Sequence, residues 1–193
     1  MAINLSACTH WIFDMDGTLT IAVHDFAAMR AALNIPKTGG IIEAIDSLPA
    51  NEARAKHQQL AAIELDYARQ ALPQPGAREL LQSLSGHSRP MGILTRNSRR
   101  NALVTLDVCN LLEFFQPECI LGRESAAPKP SPAGVEMLLK TWDAQPEQAV
   151  MCGDFRYDLE AGRNAGTATV YVDIDDEDEW TQQADFRVLN LGE

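Results

Sequence analysis

Two aspartates near the start of the chain have the type and spacing for covalent chemistry on phosphorus. Asp14 and Asp16 stand in the sequence Asp-Met-Asp-Gly-Thr, directly after the apolar run Trp11–Phe13. A carboxylate can act as a nucleophile, which divides one difficult hydrolysis into two displacements. A second carboxylate two residues later can protonate the leaving oxygen and afterwards deprotonate water. An Asp-Gly pair can also simply turn the chain after a strand, and the motif alone favours neither interpretation.

Polar residues also follow the apolar run Met91–Leu94, where they can bind an oxyanion. Thr95 offers a hydroxyl, and the start of the next helix offers unpaired N–H groups suited to phosphate oxygens. We predict that Thr95 binds phosphate and place its neighbour Arg96 in the same group. In the structural alternative, Asn97 or Ser98 only caps that helix, and taken alone this alternative is the stronger one.

Lys129 is a third candidate, because prolines flank it in the sequence Lys-Pro-Ser-Pro. The two prolines limit how far the lysine charge can move. An ammonium group fixed in this way can contact a phosphoryl oxygen and offset nearby carboxylates. Most lysines are instead solvated at the surface, which is the alternative interpretation of this motif. We predict that Lys129 binds phosphate.

Two further aspartates follow the apolar run Ala149–Cys152. Asp154 comes just after this run, and Asp158 lies one helical turn further on. A pair at this spacing can share one helix face and reach a hard cation through oxygen ligands. Asp158 also fits a carboxylate that is stabilised by the N-terminus of a helix, and both interpretations of this residue stay open.

The elements that must position these residues follow an α/β pattern. Short apolar runs alternate with segments of helical period, which predicts a Rossmann-like parallel sheet flanked by helices. In such sheets the carboxyl ends of the strands line the ligand crevice, and three of the four motifs lie at such ends. The predicted strands are Trp11–Phe13, Met91–Leu94, Cys119–Leu121, Ala149–Cys152 and Thr169–Val172, with Phe186–Leu189 as an edge strand. The predicted core helices are Ala77–Leu84, Ser98–Val108, Pro132–Trp142, which starts with Ser131 as its cap, and Leu159–Asn164, which stops at Gly166.

The interval from residue 21 to residue 75 has only helical period between its turn signals. Its predicted helices are Asp25–Leu33, Gly40–Leu48 and Asn51–Leu72. We expect a small all-helical cap inserted after the first strand, so that residues 1–20 and 76–193 form the catalytic core and residues 21–75 the cap. His24 and Asp25 open this segment and are candidates for contact with a substrate.

Composition excludes several classes of partner. The chain has 193 residues with 16 Lys and Arg against 27 Asp and Glu, and its net charge of -11 disfavours nucleic acid or an anionic membrane as the main partner. No apolar run approaches membrane-spanning length, and the first ten residues have no signal-peptide pattern. The four cysteines show no C-x-x-C spacing, which favours a reduced, cytoplasmic protein.

In their order along the chain, these motifs resemble the haloacid dehalogenase-like hydrolase superfamily, in particular its phosphatase branch with a small helical cap. The resemblance runs from about Trp11 to Val172. Each motif is short, but four in the required order and at compatible spacings are strong joint evidence. The chain departs from the family at Phe155, where many relatives have a small polar residue, and this bears on the local hydrogen bonds and on the role of Asp158.

The resemblance implies a role for each motif. Asp14 is implied as the nucleophile and Asp16 as the acid and base. Mg²⁺ is implied to bind the side chains of Asp14 and Asp154 and the backbone carbonyl of Asp16, while Thr95 and Lys129 hold the phosphoryl group.

Electrostatics independently favours the metal ion. Three carboxylates gathered in one crevice with a phosphate dianion repel one another strongly, and Lys129 alone cannot balance them. Oxygen ligands shared with phosphate favour Mg²⁺ over Zn²⁺, for which the sequence offers no Cys/His cluster. The acidic run Asp173–Glu179 fails the calcium-loop pattern and is interpreted as a solvated loop.

The expected activity is the Mg²⁺-dependent hydrolysis of a small phosphorylated metabolite through an aspartyl-phosphate on Asp14. A phosphomutase, which returns the phosphoryl group to a bound sugar, and a binding module that retains the fold without catalysis remain as alternatives. A dehalogenase is disfavoured, because carbon–halogen displacement has no use for the acid and base that Asp16 supplies. The sequence leaves the substrate and the choice between monomer and dimer open.

Overall fold

A six-stranded parallel sheet lies at the centre of the computed structural model, which describes residues 5, 8–23 and 25–192. The strand order is β3-β2-β1-β4-β5-β6. The strands are β1 (His10–Phe13), β2 (Met91–Leu94), β3 (Ile120–Leu121), β4 (Ala149–Gly153), β5 (Ala168–Val172) and β6 (Phe186–Val188). The predicted fold class is therefore confirmed, and each strand differs from its predicted bounds by one residue or none at either end.

Burial on both faces explains why the strands are nearly continuous apolar runs. Every residue of β2, β4 and β5 is buried. Side chains alternate between the two faces, so that Phe13 belongs to one apolar cluster and Ile12 to the other. In the register of the sheet, Phe13 is paired with Ile93 on one side and Cys152 on the other. The residues that follow β1 and β4 therefore emerge side by side at one edge.

Four helices cover the sheet: α4 (Ala77–Gly86), α5 (Arg99–Val108), α6 (Ala133–Trp142) and α7 (Arg156–Ala165). Gly166 ends α7 in the left-handed region (φ 83°), as predicted. The predicted start of α6 is wrong by one residue. Pro132 is the capping residue, and the Ser131 hydroxyl accepts a hydrogen bond from the Ala133 amide in a turn just before the helix.

Three further helices lie between β1 and α4: α1 (Phe26–Leu33), α2 (Ile41–Asp46) and α3 (Ala50–Arg69). They share an apolar cluster of their own, built on Met29, Leu33, Ile45 and Leu60. The two segments of chain that join them to the sheet run side by side, because the Ile21 amide donates to the Leu72 carbonyl and the Gln74 amide to the Leu19 carbonyl.

A buried ion pair attaches α3 to the helices and loops that cover the sheet. Glu64 of α3 accepts two hydrogen bonds from the Arg123 guanidinium, at 2.7 and 2.8 Å, and a third from the Asn101 side chain of α5 at 3.3 Å. Glu64 is buried, and a buried carboxylate is tolerated only when its charge and lone pairs are satisfied in this way. The pair therefore fixes the orientation of α3 above the sheet.

The interpretation of Asp173–Glu179 as a solvated loop is wrong for its first residue. Asp173 is buried directly after β5, where it accepts hydrogen bonds from the amides of Glu177 and Asp178 and from Arg187 of β6. Burial raises the pKa of Asp173, but the hydrogen bonds from the Asp178 amide and Arg187 outweigh burial and leave the pKa below its ordinary value.

Among the described residues, no helix combines the length and the apolar character that crossing a lipid bilayer requires.

Replacing Asp173 by Asn is expected to lower the free energy of unfolding by about 2 kcal/mol at pH 7, because a charged acceptor is lost beside a partly exposed Arg187. Since the folded-state pKa is depressed, this contribution is complete above about pH 4 and disappears as the pH falls through the lower folded value. Urea unfolding at several pH values measures it. Asp175→Asn, an exposed neighbour, serves as the control, and an equal effect of both variants would contradict the assignment.

Candidate active site

The predicted site residues lie at the carboxyl edge of the sheet. Asp14 follows β1, and Thr95 and Asp154 follow the neighbouring strands β2 and β4. Lys129 and Asp158 come from other segments and reach the same place. The structure thus brings together the four motifs, although they are up to 144 residues apart in sequence, counted from Asp14 to Asp158.

Lys129 is the centre of this group. Its Nζ lies 2.8 Å from Asp14 Oδ1 and 2.5 Å from Asp158 Oδ1. The side chain is buried, so the alternative of a solvated surface lysine is wrong. Burial lowers the pKa of Lys129, but the charges of Asp14 and Asp158 outweigh it and raise the pKa above its ordinary value. The ammonium group is therefore charged in the folded protein.

Three carboxylates form a cluster that suits a metal ion. One oxygen of each of Asp14, Asp154 and Asp158 lies within 4.8 Å of the other two. All the donors are oxygen atoms, which matches the preference of Mg²⁺. The backbone of Gly17 packs closely against this cluster, because a Cβ atom there would lie only 2.3 Å from Asp154 Oδ2. The donor set therefore fits a hard divalent cation.

Asp154 has a hydrogen-bond donor that sequence reasoning missed. The Thr18 hydroxyl donates to Asp154 Oδ1 at 2.9 Å. Burial, followed by the charge of Asp14, raises the pKa of Asp154 to about 7. A nearby cation would favour the charged form of such a carboxyl group. The signal for Thr18 was its place in the Asp-Gly-Thr motif, two residues after Asp16.

Asn97 is the second residue whose function was missed. Its side-chain amide donates to Asp16 Oδ2 at 2.7 Å. The helix cap is instead Ser98, whose hydroxyl accepts from the Asn101 amide. Burial first, and then the charge of Asp14, raises the pKa of Asp16 to about 7, while Asn97 acts in the opposite direction. Asp16 is thus a carboxyl group that can hold a proton close to neutral pH.

The two predicted phosphate-binding residues that follow β2, Thr95 and Arg96, are placed differently. Thr95 is buried at the edge, and its oxygen accepts a hydrogen bond from the Asn97 amide at 3.1 Å. Its hydroxyl hydrogen remains available to a ligand. Arg96 is exposed, and its guanidinium carbon lies 5.6 Å from the ring centre of Tyr157.

At Phe155, where the chain departs from the family pattern, the local hydrogen bond is made by the backbone. The Phe155 amide donates to Asp158 Oδ2 at 3.1 Å, so Asp158 caps the start of α7 as well as pairing with Lys129. Both interpretations of Asp158, as a residue of the cluster and as a charge at a helix start, therefore agree with the structure. Of the two residues that open the inserted helices, Asp25 is exposed and caps α1, and His24 lies outside the described residues.

Comparison with known proteins gives consistent matches. The sequence profile of a family described as haloacid dehalogenase-like hydrolase matches residues 27–172. A haloacid dehalogenase-like hydrolase domain-containing protein of Arabidopsis thaliana is 34% identical over 93% of this chain and 79% of its own length. The pyrophosphatase PpaX of Listeria monocytogenes is 30% identical over 85% of this chain and 82% of its own. Validoxylamine A 7'-phosphate phosphatase of Streptomyces hygroscopicus is 28% identical, over 94% and 93%.

The fold also matches solved structures. The crystal structure of a predicted phosphoglycolate phosphatase from Haemophilus somnus superposes with a TM-score of 0.79 at 19% identity, and covers 97% of this chain and 96% of the other. At this identity the likeness concerns the fold.

Gly17→Ala is expected to destabilise the protein by about 3 kcal/mol. The alanine would have to adopt a positive φ, and its Cβ would displace the Asp154 carboxylate from Thr18. Gly39→Ala is the matched control: its φ is also positive, but nothing lies within 4 Å of the new Cβ, so only backbone strain of about 1 kcal/mol is expected. Denaturant unfolding measures both variants. Equal losses would show that Asp154 is not held against Gly17.

Proposed function

The chain belongs to the haloacid dehalogenase-like hydrolase family and to its phosphatase branch, and on this premise we propose that it hydrolyses a small phosphorylated metabolite with Mg²⁺. The proposed intermediate is an aspartyl-phosphate on Asp14. The observation that carries this proposal is the buried contact of Asp14 with Lys129, beside the carboxylates of Asp16 and Asp154. A binding scaffold has no need for so many converging charges.

Mg²⁺ is proposed to bind the side chains of Asp14 and Asp154 and the backbone carbonyl of Asp16. When bound, it would neutralise part of the charge of the carboxylates and of the phosphoryl oxygens. Asp158 is assigned a different task. Because it contacts Lys129 at 2.5 Å and caps α7, we propose that it holds the ammonium group in position.

In the first step a carboxylate oxygen of Asp14 attacks phosphorus, and the bond from phosphorus to the leaving oxygen breaks. Lys129 and Thr95 hold the phosphoryl oxygens, together with N–H groups at the start of α5. Asp16 donates its proton to the leaving oxygen, so that the product is a neutral alcohol. The raised pKa of Asp16 suits this role.

In the second step water attacks the phosphorus of the aspartyl-phosphate. Asp16, now a carboxylate, accepts a proton from this water, and the bond between phosphorus and Asp14 breaks to release inorganic phosphate. Acid–base catalysis contributes roughly 10²- to 10⁴-fold, whereas phosphomonoester hydrolysis needs acceleration of up to about 10²¹-fold. Positioning and charge stabilisation at the edge of the sheet therefore supply most of the rate.

Residues 21–75 are proposed to form the cap, with residues 1–20 and 76–193 as the catalytic core. Support comes from the position of the inserted segment, whose residues Val23, Glu64 and Tyr67 lie close to Asp16 and Asn97. A cap in this position would exclude water from the reacting groups and select the leaving group.

We further propose that the partner is a small phosphorylated metabolite, with neither nucleic acid nor a membrane as a partner, in keeping with the net charge of -11. A reducing compartment such as the cytoplasm is proposed because Cys8, Cys109, Cys119 and Cys152 are free and buried.

Asp14→Asn is expected to abolish Mg²⁺-dependent hydrolysis of p-nitrophenyl phosphate, because the amide is not a nucleophile. The fold should persist, since Lys129 keeps its contact with Asp158. Phosphate release measures the activity and circular dichroism the fold. Asp107→Asn, an exposed residue of α5, is the matched control and should retain full activity.

Three results would contradict parts of this proposal. Unchanged turnover in Asp14→Asn would remove Asp14 from its role. An isomerised sugar phosphate in place of free phosphate would indicate a phosphomutase. An absence of turnover across a broad panel of phosphorylated metabolites with Mg²⁺ would favour a binding module.

A further inference from the structure

We propose that Arg96, supported by the ring of Tyr157, binds a second anionic group on the leaving part of the substrate. The preferred substrates are then phosphomonoesters that carry a further carboxylate or phosphate. The proposal deepens the phosphatase function and rests on it. It makes Arg96 a specificity residue rather than a ligand of the transferred phosphoryl group.

The contact between Arg96 and Tyr157 spans the mouth of the site. Arg96 follows β2, and Tyr157 lies in the first turn of α7, which follows β4. These strands flank β1 and are therefore roughly 10 Å apart. The guanidinium carbon of Arg96 lies 5.6 Å from the centre of the Tyr157 ring, so residues that follow the strands on either side of β1 meet here, and Asp14 follows β1 itself.

Arg96 has a charge that no carboxylate neutralises. Among the described residues, no acidic side chain lies within ion-pair distance of its guanidinium, although the chain contains 27 acidic residues. A contact with the face of a ring uses none of the guanidinium N–H groups, so these can bind an oxyanion in a bidentate manner. Lys129 contacts Asp14 and Asp158 and is assigned to the transferred phosphoryl group, so it does not serve the second anion.

Tyr157 is itself held in place by an aromatic cluster, which we define as Phe155, Tyr157 and Trp180. The Phe155 ring meets the Tyr157 ring edge-on at 5.1 Å and the Trp180 ring at 5.6 Å. Arg156 donates to the Tyr157 hydroxyl at 3.1 Å, and its guanidinium lies over both Tyr157 and Trp180. These contacts restrict the Tyr157 ring, and a restricted ring beside Arg96 lowers the entropic cost of binding an anion.

Phe155 joins the other two rings of the aromatic cluster. This residue directly follows Asp154, yet 42% of its surface is exposed, which is unusual for a large apolar side chain beside a polar site. Its ring is the link between Tyr157 and Trp180. The departure from the family pattern at this position thus has a physical consequence at the mouth of the site.

The experiment compares matched substrates that differ in one charge. For a carboxylate, 3-phosphoglycerate is compared with glycerol 3-phosphate, and for a phosphate, fructose 1,6-bisphosphate with fructose 6-phosphate. We expect kcat/KM for at least one doubly anionic substrate to exceed that of its partner by on the order of 10- to 100-fold. The pair that shows this preference identifies the second anion. The absence of a preference in both pairs would overturn the proposal.

The variants Arg96→Gln and Tyr157→Leu are expected to reduce this preference at least tenfold, mainly through KM for the doubly anionic substrate. Arg96→Lys should restore part of it, and Tyr157→Phe, which keeps the ring, should retain most of it. Arg100→Gln, an exposed arginine of α5, is the control and should leave the ratio unchanged. Equal losses on both members of a pair in Arg96→Gln would place Arg96 on the transferred phosphoryl group instead and overturn the proposal.

A measurement of binding tests the role of Arg96 independently of the proposed hydrolysis. Calorimetric titration of the Asp14→Asn protein with 3-phosphoglycerate and with fructose 1,6-bisphosphate, in the presence of Mg²⁺, measures affinity without turnover. If the wild type hydrolyses neither substrate but the doubly anionic ligand binds more tightly and Arg96→Gln removes this difference, only the hydrolysis is wrong. If turnover is present and the Arg96 variants keep the full preference, only the role of Arg96 is wrong.

Discussion

The position of the Lys129 ammonium between the carboxylates of Asp14 and Asp158 is the interaction on which the rest of the site depends. A buried positive charge is costly to desolvate, and two close carboxylates are needed to compensate it. One ammonium does not balance all the acidic groups nearby, so an excess of negative charge remains at Asp16 and Asp154. Burial, and after it the charge of Asp14, raises the pKa of each of these two groups to about 7. The same excess makes the cluster suited to a divalent cation and to the transfer of protons.

The sheet fixes the positions of the charged groups relative to one another. Neighbouring parallel strands place Asp14 and Asp154 side by side, because Phe13 and Cys152 are paired in register. Two close approaches of backbone to carboxylate complete the arrangement, at Gly17 and Gly153, where a Cβ would overlap the side chains of Asp154 and Asp158 respectively. Glycine is required at Gly17 for a second reason as well, since its φ is 86°.

Local patterns in the sequence were sufficient to predict the strands, the helices around them and the fold class, because apolar runs and helical period reflect burial directly. The aspartates that follow strands could be located for the same reason. Lys129 was expected to offset nearby carboxylates, but the uncharged partners of the aspartates could not be predicted. Thr18 and Asn97 act through side-chain directions, and the pairing of Glu64 with Arg123 joins residues 59 positions apart. Such contacts depend on how helices dock, which no local pattern records.

The ion pair of Glu64 and Arg123 has a consequence for how α3 is held above the sheet. Separating an apolar interface exposes surface that water solvates poorly, so the cost rises with every square ångström uncovered. Separating a carboxylate from a guanidinium restores the hydration of both, which offsets most of the lost attraction. The ion pair therefore fixes the direction in which α3 docks, while adding less to the cost of separation than an apolar contact of the same area would. The same pair of side chains thus defines the orientation of α3 and limits the cost of separating it.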